Sequence, residues 1–246
     1  MTDRGSSSEP PAELGGYAKR AAGRAAAELV ADGMLLGLGT GSTAQWFIDA
    51  VAVRCRDQGL RVHGVATSEA STDQARAVGI PLVELPLSGV DLAVDGADQI
   101  DPELRLVKGA GGALVRERIV ASAATRFVVV ADPSKVVRRI TANVPLEILP
   151  FGAEHTLHSA AELMAGAVWR RDPGGVTLRS DNGNLLADAR LAGAEDLEEL
   201  AAQLVELPGL LGHGLFLGMA DLVLVGHDDG RVTELLPSDI PESNRQ

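Results

Sequence analysis

The sequence predicts an α/β protein: a Rossmann-like, mostly parallel sheet with helices on both faces, plus a smaller ferredoxin-like α+β domain. Three observations lead there. Short, nearly continuous apolar runs such as Phe127-Val-Val-Val-Ala131 alternate with helical stretches, the pattern of strands buried on both faces. Polar loops at 39–43, 67–72, 95–98 and 132–135 follow those runs, where such sheets bind ligands beyond the strands' carboxyl ends. From about residue 143 the order becomes β-α-β-β-α-β, a split βαβ arrangement.

Taken in order, residues 12–31 place alanines and charges at helical spacing and stop at Asp32-Gly33, which predicts an amphipathic helix. A strand at 34–38 runs into Gly39-Thr-Gly-Ser-Thr43 and a helix from Ala44 onward. Strands are expected at 62–66, 80–83, 90–94 and 127–131, with helices ending near Ala77 and spanning about 113–124. The later module is expected to have a strand at 145–149, a helix at 155–168, strands at 176–179 and 185–187, a helix at 196–207 and a strand at 212–217. Ser180-Asp-Asn-Gly-Asn184 between two of those strands is a hairpin turn. A strand at 222–225 returns to the first sheet. The implied division is a tail at 1–16, a catalytic domain from 17–142 and 218–236, the small domain at 143–217, and a tail from 237.

The chain has 246 residues, 46% of them apolar but only 3% aromatic, so its core must be aliphatic. Its formal charge of −12 opposes a general grip on nucleic-acid backbone, which needs basic clusters. The basic pairs Arg138-Arg139 and Arg170-Arg171 are short. An anionic substrate must therefore be held locally, by loops and a few cations. The single cysteine, Cys55, permits no internal disulfide and fits a reducing, cytoplasmic setting. The five histidines form no metal signature. No apolar run reaches the ~18 residues of a membrane span, and residues 1–12 lack a secretory signal's apolar centre.

The chemistry concentrates in Val94 to Glu117, VDGADQIDPELRLVKGAGGALVRE. Asp95 and Asp98 lie in a Gly/Ala turn, then come Lys108, the glycine loop 109–112 and Glu117. Singly, each has an ordinary structural use: aspartates bond their own turns, and a first-turn glutamate answers the helix dipole. Together they form the inventory needed for proton transfer on a small polar ligand. On a helix over 113–124, Glu117 neighbours Val120, Ala121 and Ala124. Such surroundings raise a carboxyl pKa and suit a general base acting near neutral pH.

The 39–43 loop, with hydroxyls at Thr40, Ser42 and Thr43, has the strand–loop–helix form that binds phosphate through backbone N–H groups. It lacks the P-loop lysine, and its glycine spacing departs from the dinucleotide fingerprint. Capping of the following helix is the purely structural alternative for Ser42 or Thr43.

GTGST at 39–43, TSEAST at 67–72, DGAD at 95–98, KGAGGALVRE at 108–117, ADPSK at 131–135 and SDNGN at 180–184 together resemble the type A ribose-5-phosphate isomerases, in order and approximate spacing. The resemblance covers about residues 17–232. It implies a metal-free enzyme, without cofactor, interconverting D-ribose 5-phosphate and D-ribulose 5-phosphate in the pentose phosphate pathway. It implies that Glu117 is the base moving a proton between C2 and C1, and that Asp95 serves ring opening. Asp98 and Lys108 would bind the reacting end, Lys108 facing the enediolate oxygen. Gly96 and Ala97, within DGAD, and the cradle Gly109, Ala110 and Gly111 would line the sugar. Thr40, Gly41, Ser42 and Thr43 would hold phosphate and substrate, with Lys135 and Lys19 as further substrate cations. A homodimer or higher homo-oligomer is implied as well. The departures are Ala110 where glycine is common, Gln99 where glutamate is frequent, and a longer N-terminal tail.

Two other readings compete. A coenzyme A transferase or sugar-phosphate deaminase shares the broad fold group, and a transferase would use a glutamate as nucleophile. A non-catalytic sugar-phosphate sensor would need a basic DNA-reading domain, for which 16 residues before Tyr17 leave no room.

Overall fold

The computed structural model describes residues 16–193 and 196–237. Its elements are α1 (Gly16–Ala27), β1 (Leu35–Leu38), α2 (Ala44–Gln58), β2 (His63–Ala66), α3 (Glu69–Ala77), β3 (Leu92–Gly96), β4 (Gln99–Ile100) and β5 (Leu106–Val107). Then follow α4 (Leu114–Ser122), β6 (Phe127–Ala131), a 3-10 turn (Pro133–Lys135), β7 (Val144–Ile148), α5 (Ala153–Leu163), β8 (Ala167–Trp169) and β9 (Leu185–Ala189). The last are α6 (Leu197–Val205), β10 (Leu210–His213), β11 (Leu215–Phe216), β12 (Leu222–Gly226) and β13 (Val232–Leu235).

The main sheet has the order β13-β12-β6-β3-β1-β2. All its pairings are parallel except β12 with β13, so the fold is the Rossmann-like one expected. Strand alternation divides the core in two. Val128, Val130, Leu36, Leu38 and Val94 pack with Phe47, Ile48 and Ala22 of α2 and α1 on one face. Phe127, Val129, Ala93 and Val223 pack with Val120 and Ala121 of α4 on the other. With so few aromatics, this filling is mostly aliphatic, as the composition requires.

The β-α-β-β-α-β order of the second unit is β7-α5-β8-β9-α6-β10, on an antiparallel sheet ordered β10-β7-β9-β8. Its second strand is not where the pattern placed it. The expected helix at 155–168 ends at Leu163, and Ala167–Trp169 is the strand. Gly166, with φ +105°, makes the break. The expected strand at 176–179 is reduced to isolated bridges, Arg171 to Thr177 and Arg179 to Leu185. The turn at 180–184 is present, closed by Ser180 N donating to Asn184 O at 2.9 Å.

Other corrections follow the same logic. The strand expected at 80–83 is a single bridge, Gly64 to Leu82, beside the sheet edge; Pro81 has no N–H for a ladder. The run expected at 212–217 is two strands in two sheets, parted at Gly214. A Cβ there would lie 2.3 Å from Lys108 O. The hydroxyl-rich loop at 67–72 is mostly the first turn of α3, capped by Ser68, which accepts from Ser71 N. Asp95 is not in a turn but inside β3. The N-terminal helix ends at Ala27 rather than 31, and residues 12–15 of that expectation lie outside the described ones. The expected tails, apart from Gly16 in α1 and Pro237, lie outside them too. The sheet β11-β5-β4 was unforeseen, its strands being only two residues long.

Candidate active site

Face alternation brings the charged groups together. Asp95 follows Ala93 by two residues, so it shares the α4 side of the sheet. Glu117 precedes Val120 by three, one turn along the face of α4 that packs there. Lys108 leaves the end of β5, whose neighbour β11 carries Phe216. These three chain segments meet at the carboxyl end of β3.

The result is a buried trio. Asp95, Lys108 and Glu117 are 3%, 2% and 5% exposed. Lys108 Nζ lies 3.1 Å from Asp95 Oδ2 and 3.4 Å from Glu117 Oε2, and donates to Gly96 O at 2.5 Å. It also sits 5.5 Å from the Phe216 ring centroid, and Arg118 lies 4.1 Å from that centroid. Asp95 Oδ1 accepts from Thr40 N at 3.0 Å and Gly96 N at 2.7 Å. Glu117 Oε2 is buried with no hydrogen-bond partner; its contact with Lys108 is an ion pair without hydrogen-bond geometry.

Electrostatics follow from this burial. Desolvation and the neighbouring Asp95 charge raise Glu117 to about 8, against the pull of Lys108. Burial also raises Asp95, opposed by Lys108 and the two amide donors. Burial alone would lower Lys108, but the Asp95 and Glu117 carboxylates outweigh it and raise its pKa. Lys108 therefore stays an ammonium, and Glu117 is the group placed to exchange a proton near neutrality.

Beside the trio opens a small, half-open cleft. Thr40 to Thr43 form one wall, Gly96 to Asp98 and Lys108 to Gly111 another, with Lys135 and Glu117 also lining it. Asp98 Oδ2 accepts from Ala110 N at 2.9 Å, tying the second aspartate to the glycine loop. Gly41 has φ +104° and open space around it, leaving its backbone clear towards a ligand. Gly39 has a different reason: a Cβ there would lie 2.4 Å from Asp95 Cγ.

Of the residues expected from sequence, Asp95 and Lys19 do not line this cleft. Asp95, 3% exposed, contacts two residues that do, accepting from Thr40 N and pairing with Lys108 Nζ. Lys19, on α1, donates from Nζ to Ser42 Oγ at 2.9 Å, so it braces the outer side of the 39–43 loop. Thr67 and Ser68 were marked only as a loop; both are buried and share hydrogen bonds with Thr40 Oγ1 at 2.8 and 2.7 Å. Their hydroxyl enrichment was the available signal. Gln99 accepts from Thr141 N and Ala142 N at 2.8 and 2.9 Å, a bond pattern a glutamate would also accept. Among the described residues no group of three or more His, Cys, Asp or Glu is placed to hold a metal ion, and no helix is long and apolar enough to cross a membrane.

Comparison with known proteins gives the same site a family. The model of ribose 5-phosphate isomerase A (phosphoriboisomerase A) matches residues 63–230, more than half the chain. The chain belongs to the ribose-5-phosphate isomerase A family. The ribose-5-phosphate isomerase A of Roseiflexus castenholzii is 45% identical over 234 residues, covering 94% of this chain and 98% of that one. Ribose 5-phosphate isomerase A from Methanocaldococcus jannaschii superposes with a TM-score of 0.83 at 36% identity, over 89% and 97% of the two chains. A D-ribose-5-phosphate isomerase solved in complex with phospho-erythronic acid gives 0.83 at 32% identity, over 89% and 97%. The chain's activity is the interconversion of ribose 5-phosphate and ribulose 5-phosphate, a step of the pentose phosphate pathway.

Proposed function

We propose that Glu117 carries this isomerisation as the general base. One observation supports it above the rest: a buried glutamate lining the cleft, with an unpartnered oxygen and a pKa raised to about 8. In the open-chain aldose, Glu117 takes the C2 proton. The C–H electrons form the C1–C2 double bond and C1=O becomes an enediolate oxygen. Lys108 and the N–H groups of Gly109 and Gly111 face that charge, a preorganised electrostatic site, while the Ala110 N–H stays on Asp98. The O2 proton then passes to O1, C2=O forms, and Glu117 returns its proton to C1, giving the ketose. Asp95, which shares Lys108 with Glu117, serves ring opening. Asp98, with Gly96 and Ala97, holds the sugar's hydroxyls.

In this reading Thr40 to Thr43 and Lys135 anchor the phosphate, and Lys19 holds Ser42 in place. Fixing the remote end lets its binding energy orient C1 and C2 against the base. No step calls for a metal or cofactor. The test incubates EDTA-treated protein with D-ribose 5-phosphate beside Glu117→Gln. The expected result is ketose formation by the parent, a fall of several orders of magnitude in kcat for the variant, and little change in binding. Near-parent turnover in Glu117→Gln removes Glu117 from the mechanism.

Three coarser features belong to the same proposal. The catalytic domain comprises 17–142 and 218–236, and the ferredoxin-like domain 143–217, supported by the six-stranded sheet of the one and the four-stranded sheet of the other, with the short β11-β5-β4 sheet joining them. The protein works in the cytoplasm, supported by its soluble sugar-phosphate substrate. It assembles as a homodimer or larger homo-oligomer, supported by exposed Val83, Leu87 and Ile119; sedimentation equilibrium tests this.

A further inference from the structure

Arg170 follows β8, in the four-stranded unit, yet its side chain reaches the catalytic glycine loop. Its Nη1 donates to Gly109 O at 3.1 Å and to Ala110 O at 2.9 Å. The opposite edge of the guanidinium grips Asp188 of β9: Nε donates to Oδ2 at 3.0 Å and Nη2 to Oδ1. The backbone beneath is fixed as well. Arg170 N donates to Leu186 O, and Arg170 O accepts from Leu178 N, at 2.9 and 2.8 Å. Asp188 stands opposite Pro145 and Val168 in the sheet. The guanidinium's planar fork is thus locked on one side by a carboxylate and offered on the other to two consecutive carbonyls.

Peptide planarity turns that grip into a directional one. In a trans peptide, C=O and the following N–H point opposite ways. Drawing the carbonyls of Gly109 and Ala110 onto Arg170 therefore aims the N–H groups of Ala110 and Gly111 away from it. Ala110 N–H reaches Asp98, and Gly111 lines the cleft. The guanidinium also neutralises two carbonyl dipoles that would oppose negative charge nearby, and polarises both peptides so that their N–H groups donate more strongly.

We propose that Arg170, held by Asp188, is a positioning residue for the reaction: it sets the direction and donor strength of the Ala110 and Gly111 amides, the first fixed on Asp98 and the second beside the enediolate. This rests on the role given to the Gly111 amide under the proposed function. It also gives the four-stranded unit a part in catalysis, because both members of the clamp lie on that unit.

The test compares the parent with Arg170→Gln, Arg170→Lys and Asp188→Asn. Losing an oxyanion donor outright costs about 10²–10³ in kcat, so a misaimed one should cost about 10–100-fold. Arg170→Gln is expected to lose that much kcat while KM for D-ribose 5-phosphate moves by less than about threefold, the phosphate anchors being untouched. Arg170→Lys, with its charge but without the fork, should recover part of the loss. Calorimetry supplies a readout independent of turnover. Affinity for phospho-erythronic acid, whose carboxylate puts negative charge at the reacting end, should fall by about the same factor, and affinity for inorganic phosphate should hold. That arm reports on the clamp even if Glu117 is not the base. Should Arg170→Gln fail to fold, Asp188→Asn is read by the same criteria, with a smaller expected loss of about 3–10-fold. Parent-like kcat in the folded variants overturns the proposal. So does a variant that loses thermal stability alone, or one that weakens phosphate and phospho-erythronic acid equally.

Discussion

Gly39 and Asp95 are in direct contact across β1 and β3, so close that no side chain fits between them. A Cβ on Gly39 would lie 2.4 Å from both Cγ and Oδ1 of Asp95 and 2.5 Å from its Cα. The glycine is there for space, and the carboxylate occupies the room it leaves. Asp95 in turn holds Lys108 and accepts from the amide of Thr40, so this one contact links the 39–43 loop to the buried Asp95-Lys108-Glu117 trio.

Gly39→Ala should therefore do more than loosen a loop. Overpacking of this kind costs about 1–3 kcal/mol, and displaced catalytic groups about 100-fold in rate. The expected outcome is a lowered Tm and a kcat loss near that factor, with phosphate affinity kept. Parent-like kinetics would show that Asp95 can move without consequence. Steady-state kinetics and thermal unfolding of the same preparation decide it.

Glu117 links activity and stability to pH in opposite senses. If Glu117 is the base proposed above, its ionised form is the active one, so kcat/KM should rise with pH towards a plateau above about 8, and this limb should vanish in Glu117→Gln. For stability, the native state holds the Glu117 proton more tightly than the unfolded chain from about pH 4.5 to 8. Stability contributed by this group is thus lost as pH rises through that window. Glu117→Gln should remove that slope and be more stable than the parent at pH 8, by roughly 2–4 kcal/mol. Chemical denaturation across pH measures it.

Lys108→Met would leave two buried carboxylates facing each other without their cation. Removing one member of a buried ion pair costs about 3–5 kcal/mol. The variant should be inactive, unstable at neutral pH and partly recovered in acid, where both carboxylates are neutral. Equal Tm for parent and variant at pH 7.5 would contradict the geometry.

His213, 4% exposed, is pushed down to about 4 by burial and by the Arg118 charge. The unfolded chain takes up its proton first, so this contribution to stability is present above about pH 6.5 and lost as pH falls towards 4. His213→Gln should flatten the acid limb of stability there by roughly 2–3 kcal/mol at its foot. Urea midpoints between pH 4 and 7 provide the check.

Much of this was written in the chain. Apolar runs such as 127–131 and the loops after them specify a parallel sheet with its site at the carboxyl ends, because alternation and burial act locally. Six short segments specify the family, and they contain Glu117, Asp98, Lys108 and the 39–43 loop, which the structure brings to one cleft. Periodicity failed where a short strand is held by its neighbours: Ala167–Trp169 exists because β9 pairs with it, and residues 176–179 lack such pairing along their length.

Only the tertiary structure decided the rest. That Asp95 is buried against Lys108 together with Glu117 depends on which face of β3 meets α4. That Gly39 makes room for a carboxylate, while Gly41 stays open to a ligand, follows from Asp95, 56 residues further along the chain, packing against the first and not the second. From sequence, Arg170 was notable only as half of a short basic pair. Its reach to Gly109 and Ala110, some 60 residues back, comes from how one sheet is set against another's loop. Local patterns encode which elements form and which groups are present; the distances, shared protons and desolvation that make chemistry arise only when segments distant in sequence are packed together.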